Sequence, residues 1–172
     1  EAIRGRIPRD LGSGEIFPPG VGPVLVSAGG VTGPYRIPFA AVSITGVVTN
    51  KTPAGAYRGY GMPEIVFALE RFIEKIAGVL GRDPLEYRRE MLIRPEDLPY
   101  RDARGKLIDS GSHVEAFDKA VEWGRKARHR HLPEVGHRIG IGYATYVEGV
   151  GPSYFGTSGR WTAGDGAQVR IE

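Results

Sequence analysis

Cysteine is absent from the 172 residues of this chain. Its absence excludes disulfide bonds, zinc sites built on cysteine and iron–sulfur ligation by this chain. Asn50 is the only asparagine and Gln168 the only glutamine, and this depletion of heat-labile residues is typical of proteins from hot-growing organisms. The sequence also lacks a signal peptide and any apolar run of membrane-spanning length. We therefore expect a cytoplasmic protein without a membrane partner.

The sequence also lacks a large excess of positive or negative charge. The 23 basic residues stand against 20 acidic ones, which gives a formal net charge of +3. The basic residues are scattered among the acidic ones, whereas nucleic-acid binding requires a concentrated basic patch. No nucleic-acid partner is expected.

The first 34 residues are rich in glycine and proline, and their one strand-like run is VLVS at residues 24–27. So many turn-forming residues predict an extended arm over residues 1–34. A disordered tail and a segment that packs on a neighbouring domain remain alternatives for this arm. Residues 35–172 are predicted to form part of one folded domain.

The fold class predicted for the chain is α+β, with a small sheet covered by about three helices. Helical spacing of apolar residues predicts a helix over residues 63–80, with Leu69, Phe72 and Ile76 buried against the sheet. Capping signals at Asp83 and Ser112 predict two further helices. The other predicted elements are one or two strands over 35–50, a small hairpin around 104–105, a half-buried strand over 137–150 and a pairing strand over 167–172.

The loop before the first of these helices contains glycines at positions 55, 59 and 61. Glycine permits positive φ and close backbone approach, and the first amides of a helix have no partner within the helix. The loop is thus expected to present free N–H groups that suit an anionic or oxo-bearing ligand.

Several motifs around this loop point to one family. They are GAYRGYGMPE at 55–64, TNKTP before it, DPLEYRREMLI after it, GPYRIPFAAVSITGVVTNK upstream and GIGYATYVEGVG downstream. Together they resemble the large subunit of the molybdenum hydroxylases, the family of xanthine dehydrogenase, aldehyde oxidase and the carbon monoxide dehydrogenase large chain. The resemblance covers residues 33–172 and identifies the chain as an internal piece of the molybdopterin-binding region.

The resemblance implies an oxidoreductase with a molybdopterin-type molybdenum cofactor, which hydroxylates an aldehyde or N-heterocycle with water as the oxygen source. It places Ala56, Tyr57, Arg58 and Gly59 beside the cofactor, with Arg58 as the catalytic candidate. It implies as partners the remainder of the large subunit, an Fe–S small subunit, an FAD medium subunit and a small-molecule substrate. The family's general base lies in a later motif that this chain does not contain, so the chain alone is expected to be inactive.

Two positions within the resemblance concern the substrate. Copper-containing carbon monoxide dehydrogenases have a cysteine after the loop arginine, where this sequence has Gly59. Tyr60 and Tyr143 match aromatic residues that contact a substrate ring, although Tyr143 alone is equally well interpreted as an inward-facing strand residue. Two facing aromatics favour a flat aromatic substrate.

Two alternatives for the function stay open. The chain could come from a carbon monoxide dehydrogenase-type large chain, or it could be a non-catalytic anion-binding or docking domain. His129 and His131 could form a metal pair, but basic residues at a helix C-terminus complement its dipole. We therefore expect no metal ligand from this chain.

Overall fold

In a computed structural model, the described residues are 2–13, 21–55, 57–130, 136–148 and 170, without the side chains of 21, 129 and 130. They form four α-helices and two two-stranded sheets. The predicted α+β class is confirmed. The elements in chain order are β1 Ala2–Asp10, α1 Val21–Gly29, β2 Phe39–Val47, α2 Met62–Val79, α3 Pro84–Met91, β3 Tyr100–Arg101, β4 Leu107–Ile108 and α4 His113–Arg130.

Strands β1 and β2 run parallel, with Ala2 opposite Phe39 and Asp10 opposite Val47. A parallel pair needs a crossover connection, and α1 lies in that connection. The inner faces of the two strands pack Ile3, Ile7, Ala40 and Val42 against a core cluster. The first three elements are therefore a β-α-β unit.

This unit corrects two expectations for the first 34 residues. Residues 24–27 lie inside helix α1 rather than in a strand. Residues 2–10 were expected to belong to an arm without a long regular element, but they form a nine-residue strand of the sheet. The arm therefore contains two regular elements in its described part. The reason is packing, because Val26 of α1 is buried in a cluster with Met62, Ile65 and Val66 of α2. A domain boundary at residue 34 stays a prediction.

Helix α2 is the central element of the fold, because its buried side chains enter both hydrophobic clusters. One cluster contains Met62, Ile65 and Val66 together with Val26 of α1 and Val31 just after it. The other takes Leu69, Ile73 and Ala77 of α2, and their partners are Tyr35, Ile37, Tyr87, Leu92, Phe117 and Val121. The helix ends as predicted at Gly81, whose φ of 65° lets the Arg82 amide bond the carbonyl of Ala77 at 2.9 Å.

The predicted buried face of α2 was wrong at one position. Leu69 is buried and Ile76 is partly buried, but Phe72 is 47% exposed, and Ile73 instead is 1% exposed. Phe67, also on α2, is exposed too. The apolar residues of α2 thus extend onto its outer surface.

The other predicted elements have mixed outcomes. Asp83 caps α3 by accepting hydrogen bonds from the amides of Leu85 and Glu86, both at 2.9 Å, and the small hairpin predicted near 104–105 forms from β3 and β4. The strand predicted over 137–150 is wrong for its described part, since residues 136–148 form no ladder. Residues 149–150 and all of 167–172 except Arg170 lie outside the described residues.

Candidate functional site

The loop between β2 and α2 lies against helix α1. Gly59 and Gly61 have φ values of 75° and 94°, a region that side chains disfavour. A Cβ atom at Gly61 would also overlap the carbonyl oxygen of Pro23. Gly61 is therefore required both by its backbone angle and by the close approach of α1.

Three hydrogen bonds fix the end of the loop. The Ser27 hydroxyl donates to the carbonyl of Gly61 at 2.9 Å, and the Gly61 amide donates to Glu64 Oε2 at 2.9 Å. The other oxygen of Glu64 accepts from Arg9 Nη2 at 2.7 Å. Glu64 thus connects β1 to the loop and at the same time caps α2.

The start of the connection is fixed from β1 as well. The Asp10 carboxylate accepts hydrogen bonds from Thr49 Oγ1 and Lys51 Nζ at 2.5 and 2.7 Å. The amide of Ala54 donates to the carbonyl of Leu11 at 3.0 Å. The loop is consequently held at both ends by the β-α-β unit.

These contacts correct the expectation of a row of free amides. The amides of Tyr60 and Met62 donate to the carbonyls of Tyr57 and Gly59 at 2.8 and 2.7 Å, and that of Gly61 is taken by Glu64. The N-terminus of α2 is therefore capped by its own chain. Within the described residues, the amides of Arg58 and Gly59 have no acceptor.

The candidate cofactor residues lie at the outer surface of this loop. Tyr57 is 86% exposed, and Arg58 is exposed and has no carboxylate partner in the described part of the chain. Gly59 is half-buried, and Ala56 lies outside the described residues. The structure thus brings together Tyr57, Arg58 and Gly59 in one turn.

The two candidate substrate aromatics lie in different places. Tyr60 packs on the cluster that contains Val26 and Met62. Tyr143 packs on the other cluster, where its ring meets Phe117 edge-on with the centroids 6.4 Å apart. The structure therefore does not bring the two rings together, and their contact with a substrate stays a prediction.

A buried polar cluster escaped the sequence-based reasoning. Glu70 accepts hydrogen bonds from Tyr35 Oη at 2.6 Å, Arg88 Nε at 2.7 Å and the Thr145 amide at 3.1 Å. The Glu70 and Arg88 side chains are each 7% exposed. Burial and the adjacent Glu70 carboxylate raise the pKa of the Tyr35 hydroxyl above its usual range, so it remains a donor. The available signal was a glutamate beside Leu69 and three residues before Ile73, on the apolar face of α2.

The remaining candidates from the sequence are metal ligands and membrane spans. No three His, Asp or Glu side chains cluster as a metal site in the part of the chain that the structure describes. The side chain of His129, and all of His131, lie outside that part. No helix among the described residues is long and apolar enough to cross a membrane.

The Glu64 link predicts a pH dependence of stability. Partial burial of its carboxyl opposes ionisation, but hydrogen bonds from backbone amides and from Arg9 outweigh burial and lower its pKa. A lowered folded-state pKa gives stability that is present above the unfolded value and is lost as pH falls through the folded one. Wild type should therefore lose more stability than Glu64→Gln between about pH 5 and pH 3. Urea melts across this range measure the difference, and parallel losses in the two proteins would contradict it.

The comparisons with known proteins bear directly on this loop. Residues 2–92, which include the whole loop and its supports from β1, α1 and α2, match the family described as the molybdopterin cofactor-binding domain. The chain belongs to this molybdopterin cofactor-binding family. The sequence-based resemblance to molybdenum hydroxylase large subunits is thereby confirmed, and the relatives agree with it.

Two curated relatives illustrate this agreement. The 6-hydroxypseudooxynicotine dehydrogenase complex subunit gamma of Paenarthrobacter nicotinovorans is 34% identical over 145 residues, which cover 78% of this chain and 18% of the relative. The carbon monoxide dehydrogenase large chain of Hydrogenophaga pseudoflava is 37% identical over 133 residues, which cover 71% and 17%. The chain thus spans less than a fifth of the length of either relative.

A solved structure agrees as well. Quinoline 2-oxidoreductase from Pseudomonas putida 86 superposes with a TM-score of 0.68 at 29% identity, over 75% of this chain and 16% of the other. The fold of the molybdopterin-binding chain is therefore shared with that enzyme.

The residues present fit the cofactor that the family implies. Molybdopterin-type cofactors are anionic, and Arg58 offers an exposed guanidinium without a carboxylate partner among the described residues. The amides of Arg58 and Gly59, which have no acceptor among the described residues, add donors beside it, and Gly59 has no side chain that would obstruct approach to them. An oxo group or a phosphate is the kind of acceptor that such donors recognise.

Proposed function

We propose that this chain forms part of the large subunit of a molybdenum hydroxylase that oxidises an aldehyde or an N-heterocycle. The observation that carries the proposal is the turn of Tyr57, Arg58 and Gly59, which exposes the first two side chains and is held by its own hydrogen bonds within a domain of the cofactor-binding family. A rigid turn of this kind supplies preorganised donors.

The roles of individual residues follow from their chemistry. Arg58 and the amides of Arg58 and Gly59 would bind the cofactor's anionic or oxo groups, and Arg58 would stabilise negative charge that develops in the reaction. Ala56 and Tyr57 would complete the cofactor contact through their backbone. The bound cofactor supplies a molybdenum centre for hydroxylation with water as the oxygen source.

The proposed partners match the place of the relatives in multi-subunit complexes. One relative is named as subunit gamma of a dehydrogenase complex and the other as a large chain. By the resemblance to the molybdenum hydroxylases, we assign an Fe–S small subunit and an FAD medium subunit as the carriers of electrons away from molybdenum. The 172 residues themselves contain no cysteine that could ligate an iron–sulfur cluster. Without the remainder of the large subunit, the 172 residues should have no turnover.

The substrate class rests on positions 59 and 60. A thiolate would hold a soft Cu(I) ion next to Arg58, and Gly59 has none. Tyr60 instead offers an aromatic ring at the inner side of the same turn. The names of the quinoline and 6-hydroxypseudooxynicotine enzymes support a heteroaromatic substrate.

A carbon monoxide dehydrogenase is the second candidate, since one such large chain is 37% identical to this sequence. Gly59 argues against it for the copper-containing type. Copper-dependent oxidation of carbon monoxide by the large-subunit complex would favour this candidate and remove the first.

Replacing Tyr60 tests the substrate proposal. Stacking on an aromatic ring contributes about 0.5–1.5 kcal/mol beyond burial, so Tyr60→Ala should lower kcat/KM severalfold more for aromatic than for short aliphatic aldehydes. Tyr60→Phe keeps the ring and is the matched control, which should retain the preference. Equal losses for both substrate types in Tyr60→Ala would show that Tyr60 does not face the substrate.

A further inference from the structure

Glu70 is a charged residue in the middle of the hydrophobic contact between α2 and the rest of the chain. Its neighbour Leu69 and the residue one turn on, Ile73, are both core residues, and Glu70 itself is 5% exposed. A buried carboxylate is unfavourable unless it is paired and hydrogen-bonded. Glu70 therefore needs hydrogen-bond donors, and three other segments of the chain provide them.

Each oxygen of Glu70 has its own partners. Oε2 accepts from Arg88 Nε of α3 at 2.7 Å, while Arg88 Nη2 donates back to the main-chain carbonyl of Glu70 at 3.1 Å. Oε1 accepts from Tyr35 Oη at 2.6 Å and from the Thr145 amide at 3.1 Å. The single side chain thus connects α2 to α3, to the segment after α1 and to residues 136–148.

The bond to Thr145 differs from the others because its donor lies in a segment without a ladder of its own. Residues 136–148 form neither helix nor strand. Contacts with the middle of this segment include the Thr145 amide on Glu70, the Thr145 side chain on Tyr35, and the Tyr143 ring, which lies edge-on to Phe117 and against Gly124. A segment without a ladder of its own is held in place only by contacts of this kind, and a hydrogen bond to a carboxylate paired with an arginine is among the stronger ones.

We propose that Glu70 is a positioning residue, which holds the Tyr143-bearing segment against α2, the helix that begins at the Arg58 loop. Arg88 and Tyr35 fix the Glu70 carboxylate, and the carboxylate fixes Thr145, two residues from Tyr143. The relevance to catalysis rests on the proposed function, since it requires that Tyr143 contact the substrate. The mechanical role does not depend on it.

Hydrogen exchange at the Thr145 amide tests the mechanical role in the 172-residue chain. The variant Tyr35→Phe/Glu70→Met/Arg88→Met replaces the whole polar cluster by apolar side chains of similar size, a change that buried ion pairs often tolerate. Exchange at Thr145 should rise roughly ten- to hundredfold, the factor given by loss of one hydrogen bond to a charged group, while the amides in the middle of α2 keep their protection. Unchanged exchange at Thr145 would overturn the proposal.

Two further variants support this test. Arg71→Met/Glu74→Met removes an exposed ion pair from the same helix and should leave exchange at Thr145 unchanged. Glu70→Gln keeps the side-chain length but offers only a neutral acceptor, so its effect should be smaller than that of the triple variant and of the same direction. If the triple variant does not fold, unchanged exchange at Thr145 in Glu70→Gln overturns the proposal by itself.

The consequence for catalysis has a separate readout in the large-subunit complex. At equal molybdenum content, Glu70→Gln should raise KM for an aromatic substrate severalfold with kcat little changed, since a displaced Tyr143 weakens ground-state and transition-state binding alike. A purely structural defect would lower the fraction of active enzyme and leave KM unaltered. Faster exchange at Thr145 with an unaltered KM would confirm the mechanical role and remove Tyr143 from the substrate site.

Discussion

Arg88→Ala should lower the free energy of unfolding by about 3–5 kcal/mol, because it leaves the Glu70 carboxylate charged, buried and without its cation. Both side chains of this pair are 7% exposed, so water cannot replace the lost partner. The bonds from Arg88 to the main-chain carbonyls of Glu70 and Pro84 are lost as well. Urea denaturation followed by circular dichroism measures the change.

The neighbouring arginine provides a matched control. Arg89 pairs with Asp118 through two hydrogen bonds of 2.7 and 2.9 Å, but these side chains are 55% and 45% exposed. Exposed pairs contribute about 0–1 kcal/mol, so Arg89→Ala should cost no more than that. Equal costs for the two substitutions would mean that the Glu70 cluster is open to solvent.

Ile73→Ala should cost about 2–5 kcal/mol, the range for truncating a fully buried aliphatic side chain. Ile73 is 1% exposed and belongs to the cluster that joins α2 to α3 and α4. The loss of stability has two sources, namely the apolar area returned to water and the cavity left among side chains that relax only partly.

Phe72→Ala on the same helix is the control for this prediction. Phe72 is 47% exposed, so its replacement should cost about 1 kcal/mol or less although more atoms are removed. For both variants, the shift of the urea midpoint relative to wild type, at an unchanged m-value, gives the loss of stability. A larger cost at Phe72 than at Ile73 would place the inner face of α2 one residue away from where the structure has it.

The predictable parts of the fold are those where local signals agree with packing. The helical spacing of apolar residues, Pro63 at the start and Gly81 at the end define α2 almost to the residue. Asp83 and Pro84 define the start of α3 in the same way. At Phe72 the periodicity was insufficient, because apolar residues such as Phe67 continue onto the outer surface and blur the boundary of the buried stripe.

Elsewhere tertiary contacts override local preference. Residues 24–27 have strand-forming side chains, yet they are helical because Val26 packs on Met62 and Ile65. Residues 137–148 alternate as a strand does, but a strand needs a partner, and none pairs with them in the described residues. Long-range pairing of this kind has no signature in a local window of sequence.

The sequence motif was enough to locate the candidate site, but it did not predict most of the hydrogen bonds that hold the site. The glycines of the loop indicated positive φ, which Gly59 and Gly61 have. The ion pair of Glu64 with Arg9 was not foreseen, because Arg9 lies 55 residues away. The capping bond from the Gly61 amide to Glu64 is local, but the glycine at the N-cap lacks the side chain that marks the usual capping box. The contacts of Glu70 were not foreseen either, because its partners Tyr35 and Thr145 are 35 and 75 residues away.

The most direct test of the cofactor assignment is the molybdenum content of the large-subunit polypeptide that carries this sequence, measured in wild type and in Arg58→Ala. A charged hydrogen bond contributes about 1.5–3 kcal/mol, so the variant should lose cofactor at least about tenfold more readily on dilution. Arg71→Ala, which removes an arginine from the outer face of α2, should retain the wild-type content. Equal molybdenum retention in wild type and Arg58→Ala would contradict the placement of this loop at the cofactor.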